Sequence, residues 1–187
     1  RMHTKSAQNM NFSASGAKPL AQSIFEFLSA SVPLSQHGTL LEAGAGKGVF
    51  LRHFNSALPS WRITAFEPSP AAEDLAKGFP EAEVHRCGFE DAPVGQTFDV
   101  VASLAVIEHV DNPVTFLRWL ADRMTPDGNL LLTFPDFARN PNDLFCVDHL
   151  SKISGLHLDR LAFEAGLEVI ESGIAERIHK ANELLQA

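Results

Sequence analysis

Cysteine is scarce: only Cys87 and Cys146 occur among 187 residues. Two thiols cannot build a disulfide framework, so they read as reduced thiols in a cytoplasmic setting. Basic residues are in deficit, with 15 Lys and Arg against 23 Asp and Glu and a formal net charge of −8. That balance argues against wrapping a nucleic-acid backbone, so nucleic acid is not an expected partner. No apolar run approaches the roughly 18–20 residues of a membrane span, and the N-terminus has no signal-peptide apolar region. Internal repeats and low-complexity tracts are missing too. What is present suffices for one domain, since 187 residues with 45% hydrophobic content can bury a sizeable core.

The chain is organised around the stretch from Thr39 to Phe50. Thr39-Leu40-Leu41-Glu42-Ala43 reads as a buried strand, Gly44-Ala45-Gly46-Lys47-Gly48 as a glycine-rich turn, and Val49-Phe50-Leu51-Arg52-His53-Phe54 as a helix opening. Glycines at alternate positions let the backbone bend sharply and admit a ligand where a Cβ would collide with it. A dinucleotide fingerprint would need glycine at Val49, and a phosphate-binding P-loop would need Ser or Thr at Gly48; neither is satisfied.

Along the chain, residues 1–16 are polar and small and read as a flexible arm. Leu20, Ile24, Phe27 and Leu28 recur at helical spacing behind Pro19. After the glycine turn, strands are expected over Trp61–Phe66, Glu83–Cys87, Phe98–Ser103 and Asn129–Phe134, with a sixth over Leu167–Ile170. Helices are expected from Ser69-Pro70, and from Asn112-Pro113 with Phe116, Leu117, Leu120 and Met124 on one face. A turn at Thr125-Pro126-Asp127-Gly128 should precede the fifth strand, and Gly166 should end a helix as its C′ glycine. This alternation predicts an α/β, Rossmann-like, doubly wound and mainly parallel sheet with helices on both faces. Glu67, at the end of the second strand and about 20 residues beyond the glycine turn, is placed to accept hydrogen bonds from both hydroxyls of a ribose.

Taken together, Glu42-x-Gly44-x-Gly46-x-Gly48, Glu67, Phe98-Asp99-Val100-Val101, Ile107-Glu108-His109-Val110 and Pro126-Asp127-Gly128 resemble the motifs of class I S-adenosylmethionine-dependent methyltransferases. The resemblance is to the small-molecule branch that includes ubiquinone-pathway enzymes, and it covers roughly residues 40–134. It implies a single methyltransferase domain over residues 17–187 that binds S-adenosylmethionine. The cofactor contacts it implies are Glu42, Gly44, Ala45, Gly46, Gly48, Glu67, Pro68, Phe89, Glu90, Ser103, Leu104 and Ala105. Phe89 is the candidate for packing the adenine, with an ordinary core Phe as the alternative. Gly88 stands where the family often has an acid for the adenine amine, which leaves that contact to Glu90, Asp91 or backbone. A seventh, antiparallel strand belongs to this fold, but residues 175–186 read as a polar helix instead. The chain is therefore expected to be C-terminally truncated or part of a larger protein.

Methyl transfer from a sulfonium asks mainly for proximity and alignment, plus deprotonation where the acceptor is a hydroxyl or ammonium. His109 is the first candidate base because imidazole titrates near working pH; the alternative is a structural histidine. His149 is the second candidate, with neighbouring Asp148 as an orienting carboxylate, and Glu108 is a substrate or loop contact. No Cys/His spacing suggests zinc, so no metal site is expected. The insert from Pro135 to Leu150, with Phe137, Leu144, Phe145 and Val147 as apolar anchors, resembles an Asp-His loop that covers the acceptor site in a bacterial subset of these enzymes. A small-molecule acceptor of sugar, glycan-precursor or quinone-like chemistry is expected. Two competing functions remain: a cofactor-binding module without turnover, and a nicotinamide oxidoreductase, which Val49 disfavours.

Overall fold

The computed structural model describes the backbone of residues 10–13 and 16–18 and all of residues 19–171. It divides into two compact units. In the unit containing residues 1–34, strand β1 (Met10–Ser13) pairs antiparallel with β2 (Gly16–Pro19), and helix α1 (Leu20–Ser31) follows. This ladder begins inside the stretch expected to be an arm, residues 1–16, and runs on to Pro19. Backbone pairing needs no apolar alternation, so polar composition gave no sign of it.

In the second unit (Ser35–Val169) lie strands β3 (Thr39–Ala43), β4 (Arg62–Phe66), β5 (Ala82–His85), β6 (Phe98–Leu104) and β7 (Met124–Thr133). Their order is β5-β4-β3-β6-β7, and every adjacent pair is parallel. Helices α2 (Val49–Ala57), α3 (Ala71–Gly78) and α4 (Pro113–Ala121) connect strands, and α5 (Leu158–Glu164) follows the sheet. The first strand of the sheet is central, and the chain winds outward first on one side and then on the other. Right-handed crossovers put helices on both faces of such a sheet. The expected Rossmann-like architecture is the observed one.

Leu40 and Leu41 of β3 are wholly buried. Because successive side chains point to opposite faces, this strand is covered on both sides. At its start the Asp99 carboxylate accepts from the Thr39 amide (2.8 Å) and hydroxyl (2.9 Å), while the Asp99 amide donates back to Thr39 Oγ1 (3.0 Å). That exchange fixes β3 against β6. Leu41, Phe66, Val101, Ile107, Phe116, Leu117 and Leu120 form one apolar cluster, which Ile153 joins from beyond the insert.

Three elements differ from expectation. Met124 belongs to β7 rather than to the face of α4, which ends at Ala121. The Thr125–Gly128 turn is absorbed into β7 as an irregularity, with Phe98 opposite Met124 but Val100 already opposite Asn129. Glycine permits this, because a Cβ at Gly128 would lie 2.9 Å from the Phe98 carbonyl oxygen. Leu167–Ile170 forms no strand. Gly166 (φ 78°) does end the preceding helix, with Leu167 donating to the Ala162 carbonyl (2.8 Å), but no ladder partner follows among the described residues. The seventh strand and the polar helix over residues 175–186 fall outside the described residues. No helix among those described is long and apolar enough to cross a membrane.

Helix α4 offers a direct check on what holds this unit together. Asn112 Oδ1 accepts from the Thr115 amide (2.9 Å) with Pro113 behind it, and Phe116 is 1% exposed. Asn112→Ala should lower unfolding free energy by about 1 kcal/mol. Phe116→Ala should lower it by about 3–5 kcal/mol, as denaturant titration would record. Equal losses would contradict the packing described.

Candidate functional site

The carboxyl ends of β3 and β6 diverge into separate loops, which makes the crevice where α/β sheets bind ligands. After β3, the amides of Gly44 (2.8 Å) and Ala45 (3.2 Å) both donate to the Phe66 carbonyl at the end of β4. The chain then turns through Gly44, Gly46 and Gly48, all with positive φ. The three glycines do different work. A Cβ on Gly44 would come within 2.3 Å of Val106 Cγ2, and one on Gly48 within 2.3 Å of Leu75 Cδ1. Those two positions are closed by packing. A Cβ on Gly46 would meet nothing within 4 Å, so of the three glycines only this one has open space where a side chain would stand.

Glu67 follows Phe66 directly, and its carboxylate spans the turn. Oε2 accepts from the Gly46 amide at 2.6 Å and Oε1 from the Ser69 amide at 2.9 Å. The side chain is only 6% exposed. Sequence spacing placed Glu67 and the turn on one edge; the structure puts them in contact. Glu42, on β3 just before the turn, is also buried, and its Oε2 has no hydrogen-bond partner among the described residues. Burial, followed by the negative charge of Glu67, holds its carboxyl well above the ordinary range.

The loop after β6 closes the other side. Ser103 is wholly buried with its Oγ unpartnered among the described residues, and Ala105 takes φ 56°, a left-handed conformation rare outside glycine. Such strain gathers where surrounding structure over-determines the backbone; here the Ala105 amide donates to the Thr133 carbonyl (3.0 Å). Phe89 stands edge-on to Phe116 (5.1 Å) and Trp119 (5.8 Å), the contacts of a core aromatic. Glu90 and Pro68 are exposed.

Beyond Ala105, a 3-10 turn (Ile107–His109) carries Glu108 and His109. Glu108 is 2% exposed and its Oε2 is unpartnered among the described residues. Burial raises its carboxyl above the ordinary range, against the opposing pull of its own backbone amide and of the His109 and His149 imidazoles. The insert docks on this turn: Ser151 donates to the Glu108 carbonyl (3.0 Å), and His109 Nδ1 meets the Asp148 carbonyl (2.9 Å). His149 comes alongside, its ring 4.8 Å from that of His109 and nearly perpendicular to it. The two candidate bases, His109 and His149, and Glu108, the candidate substrate or loop contact, are thus brought together.

The orienting carboxylate for His149 is Asp143, whose Oδ1 lies 2.5 Å from His149 Nδ1. Asp148 is not in that role; its carboxylate is 3.9 Å from His109 instead. Asp143 is buried, and Lys152 Nζ bonds its carbonyl (2.6 Å) and that of Cys146 (3.0 Å). Sequence reading missed Asp143 and Lys152 because Pro141-Asn142-Asp143 has the composition of a solvated turn. Leu144, Phe145 and Val147, expected as apolar anchors, are exposed; this polar centre and Ile153 hold the insert.

A family model described as a methyltransferase domain matches residues 14–172. The mitochondrial ubiquinone biosynthesis O-methyltransferase of Schizosaccharomyces pombe is 30% identical over 102 residues, half of this chain and 36% of that protein. The tRNA U34 carboxymethyltransferase of Shewanella sp. is 29% identical over 101 residues, half of this chain and 30% of that protein. The matches therefore span about a third of the length of these relatives. Among solved structures, the plantazolicin methyltransferase BpumL in complex with SAH superposes with a TM-score of 0.64 at 15% identity, covering 76% of this chain and 60% of that one. With the sheet order and glycine turn described above, the match over residues 14–172 places this chain in the methyltransferase domain family, among the class I S-adenosylmethionine-dependent methyltransferases.

Proposed function

We propose that this chain binds S-adenosylmethionine across the Gly44–Gly48 turn and transfers its methyl group to a small-molecule acceptor, leaving S-adenosylhomocysteine. One observation carries the reading: the Glu67 carboxylate lies against the single glycine of the turn that faces open space. A carboxylate in that position accepts from paired ribose hydroxyls, and the bare turn lets an adenosyl group approach the main chain. Glu42 supplies a second acid in the same crevice, short of a partner and suited to a cationic ligand. The residues present therefore fit the cofactor. In this reading Ser103, Leu104 and Ala105 of the loop after β6, with Ala45, Pro68, Phe89 and Glu90, complete the cofactor contacts.

When bound, S-adenosylmethionine supplies an electrophilic methyl group on a positively charged sulfur. This chain's own residues position the acceptor and manage its proton. His109 and His149 are held by fixed oxygens at the mouth of the β6 loop, beside buried Glu108. With Nδ1 of each imidazole engaged by an oxygen, Nε2 is the nitrogen each would offer to the acceptor in this reading. The polar insert covers this place, which favours a sugar, glycan-precursor or quinone-like molecule. The charge of −8 speaks against an extended polyanion and, with two free thiols, fits a cytoplasmic protein. A cofactor-binding module without turnover is the second reading, favoured by Gly88 in place of the adenine-binding acid. Cofactor affinity without methyl transfer across a broad acceptor panel would select it.

Gly46→Arg should reduce S-adenosylhomocysteine affinity at least ~100-fold by calorimetric titration, with the circular dichroism spectrum unchanged: the side chain enters open space, and a φ of 53° strains a non-glycine residue there by only about 1–2 kcal/mol. Unchanged affinity would remove the cofactor from this turn. A second test uses Glu42, whose carboxyl is raised in the folded protein. Its proton stabilises the fold below the ordinary carboxyl range, and that stability is lost as pH rises through the raised value. Glu42→Gln should therefore melt above the parent at pH 8, with the gap closing toward pH 4. A gap that widens on acidification would contradict the burial described.

A further inference from the structure

Asp143, Cys146 and His149 stand three residues apart in the insert, and one ligand atom from each lies within 4.8 Å of the other two. Two successive turns gather them: the Cys146 amide donates to the Asp143 carbonyl (3.1 Å), and the His149 amide to the Cys146 carbonyl (3.2 Å). Lys152 Nζ donates to the same two carbonyls, which ties the loop without using a side chain of the cluster. Asp143 is 2% exposed, and its Oδ2 has no hydrogen-bond partner among the described residues. Lys152 Nζ, at 3.9 Å, lends that oxygen charge but no hydrogen bond. Burying a carboxylate oxygen without a donor is costly, and a cation bound there removes the cost. Cys146 is a free thiol and only half-buried, so an ion can reach it.

We propose that Asp143, Cys146 and His149 form a binding site for a thiophilic divalent ion, zinc above all, that fastens the insert. Thiolate sulfur, imidazole nitrogen and carboxylate oxygen are the donors zinc accepts, and water can complete its tetrahedron. A hard ion such as magnesium takes oxygen donors instead. The contact between His149 Nδ1 and Asp143 Oδ1, 2.5 Å, marks the place. There the ion takes the position of the shared proton, with Asp143 and His149 Nδ1 as ligands. The Cys146 thiol gives its proton to water and binds as thiolate. The ring proton of His149 then sits on Nε2, so on the methyl-transfer reading His149 donates to the acceptor and His109 alone remains the base. Cysteine and histidine spacing by itself overlooks this set, because its third donor is an aspartate.

The test is titration of the reduced, chelator-treated full chain with Co2+, read by thiolate-to-cobalt charge-transfer absorption, and then with Zn2+, read by loss of that band. One ion per chain is expected. Cys146→Ser should abolish the band and weaken binding at least ~100-fold, whereas losing a supporting contact costs about 10–100-fold. Asp143→Asn should weaken binding at least ~10-fold. Cys87→Ser and Glu108→Gln should keep the band and leave affinity within about twofold, since neither side chain is in the set. Circular dichroism of the ion-free variants checks that each folds. Zn2+ should also slow chymotrypsin cleavage after exposed Phe145 in the parent but not in Cys146→Ser. A parent without the band, a band that survives Cys146→Ser, or binding lost with Glu108→Gln instead would overturn the site. None of these readouts uses S-adenosylmethionine or an acceptor. A failure here therefore leaves the cofactor reading intact, and failure of S-adenosylhomocysteine to bind the parent leaves this site standing.

Discussion

The amide of Gly46 and the carboxylate of Glu67 meet at 2.6 Å across 21 residues of chain. Most of the ligand-binding edge follows from that contact. It requires that β3 and β4 be parallel neighbours in register, so that Phe66, opposite Ala43, presents its carbonyl to the amides of Gly44 and Ala45. It also requires the left-handed backbone of the turn, which only glycine adopts freely. Leu75 of α3 presses on Gly48 and Val106 on Gly44, so the turn is clamped from both flanks while the side of Gly46 that would bear a Cβ stays open. The binding edge is thus shaped before any ligand arrives, and ordering costs that would weaken binding are met in folding.

A second polar centre, in the insert, has a different construction. Buried Asp143 and half-buried His149 and Lys152 form a small polar network at the end of an irregular segment, with Ile153 anchoring it in the main core. Asp143 Oδ2 has no hydrogen-bond partner among the described residues and lies 3.9 Å from Lys152 Nζ, whose charge offsets its burial, so this polar contact fixes a loop that apolar packing does not. It presents His149 to the Glu108–His109 turn at the end of β6. The site therefore combines an edge dictated by sheet topology with a loop pinned by polar contacts. The exposed Leu144, Phe145 and Val147 lie on that same insert.

The legible part of the sequence was the part governed by local periodicity. The five sheet strands, the glycine turn and Glu67 could be read because strand alternation, positive-φ glycines and a fixed loop-to-acid spacing are properties of contiguous residues. Leu167–Ile170 looked like a strand for the same reason, but pairing needs a partner at the sheet edge, which local pattern does not report. The Pro126-Asp127-Gly128 signal was that of a turn, whereas tertiary pairing with β6 drew those residues into β7. Asp148 was paired with His149 through adjacency, yet the 3-10 segment over Pro141–Phe145 delivers Asp143 instead. Contacts made through irregular loops have no period to betray them.

The central claim is that an adenosyl group is held between the open glycine and the acid at the end of β4. A crystal structure of the chain with S-adenosylhomocysteine tests it most directly. Both ribose hydroxyls should lie within hydrogen-bonding distance of the Glu67 carboxylate, with the adenosyl group against Gly46. Density for the ligand elsewhere, or Glu67 turned away from the sugar, would contradict the account.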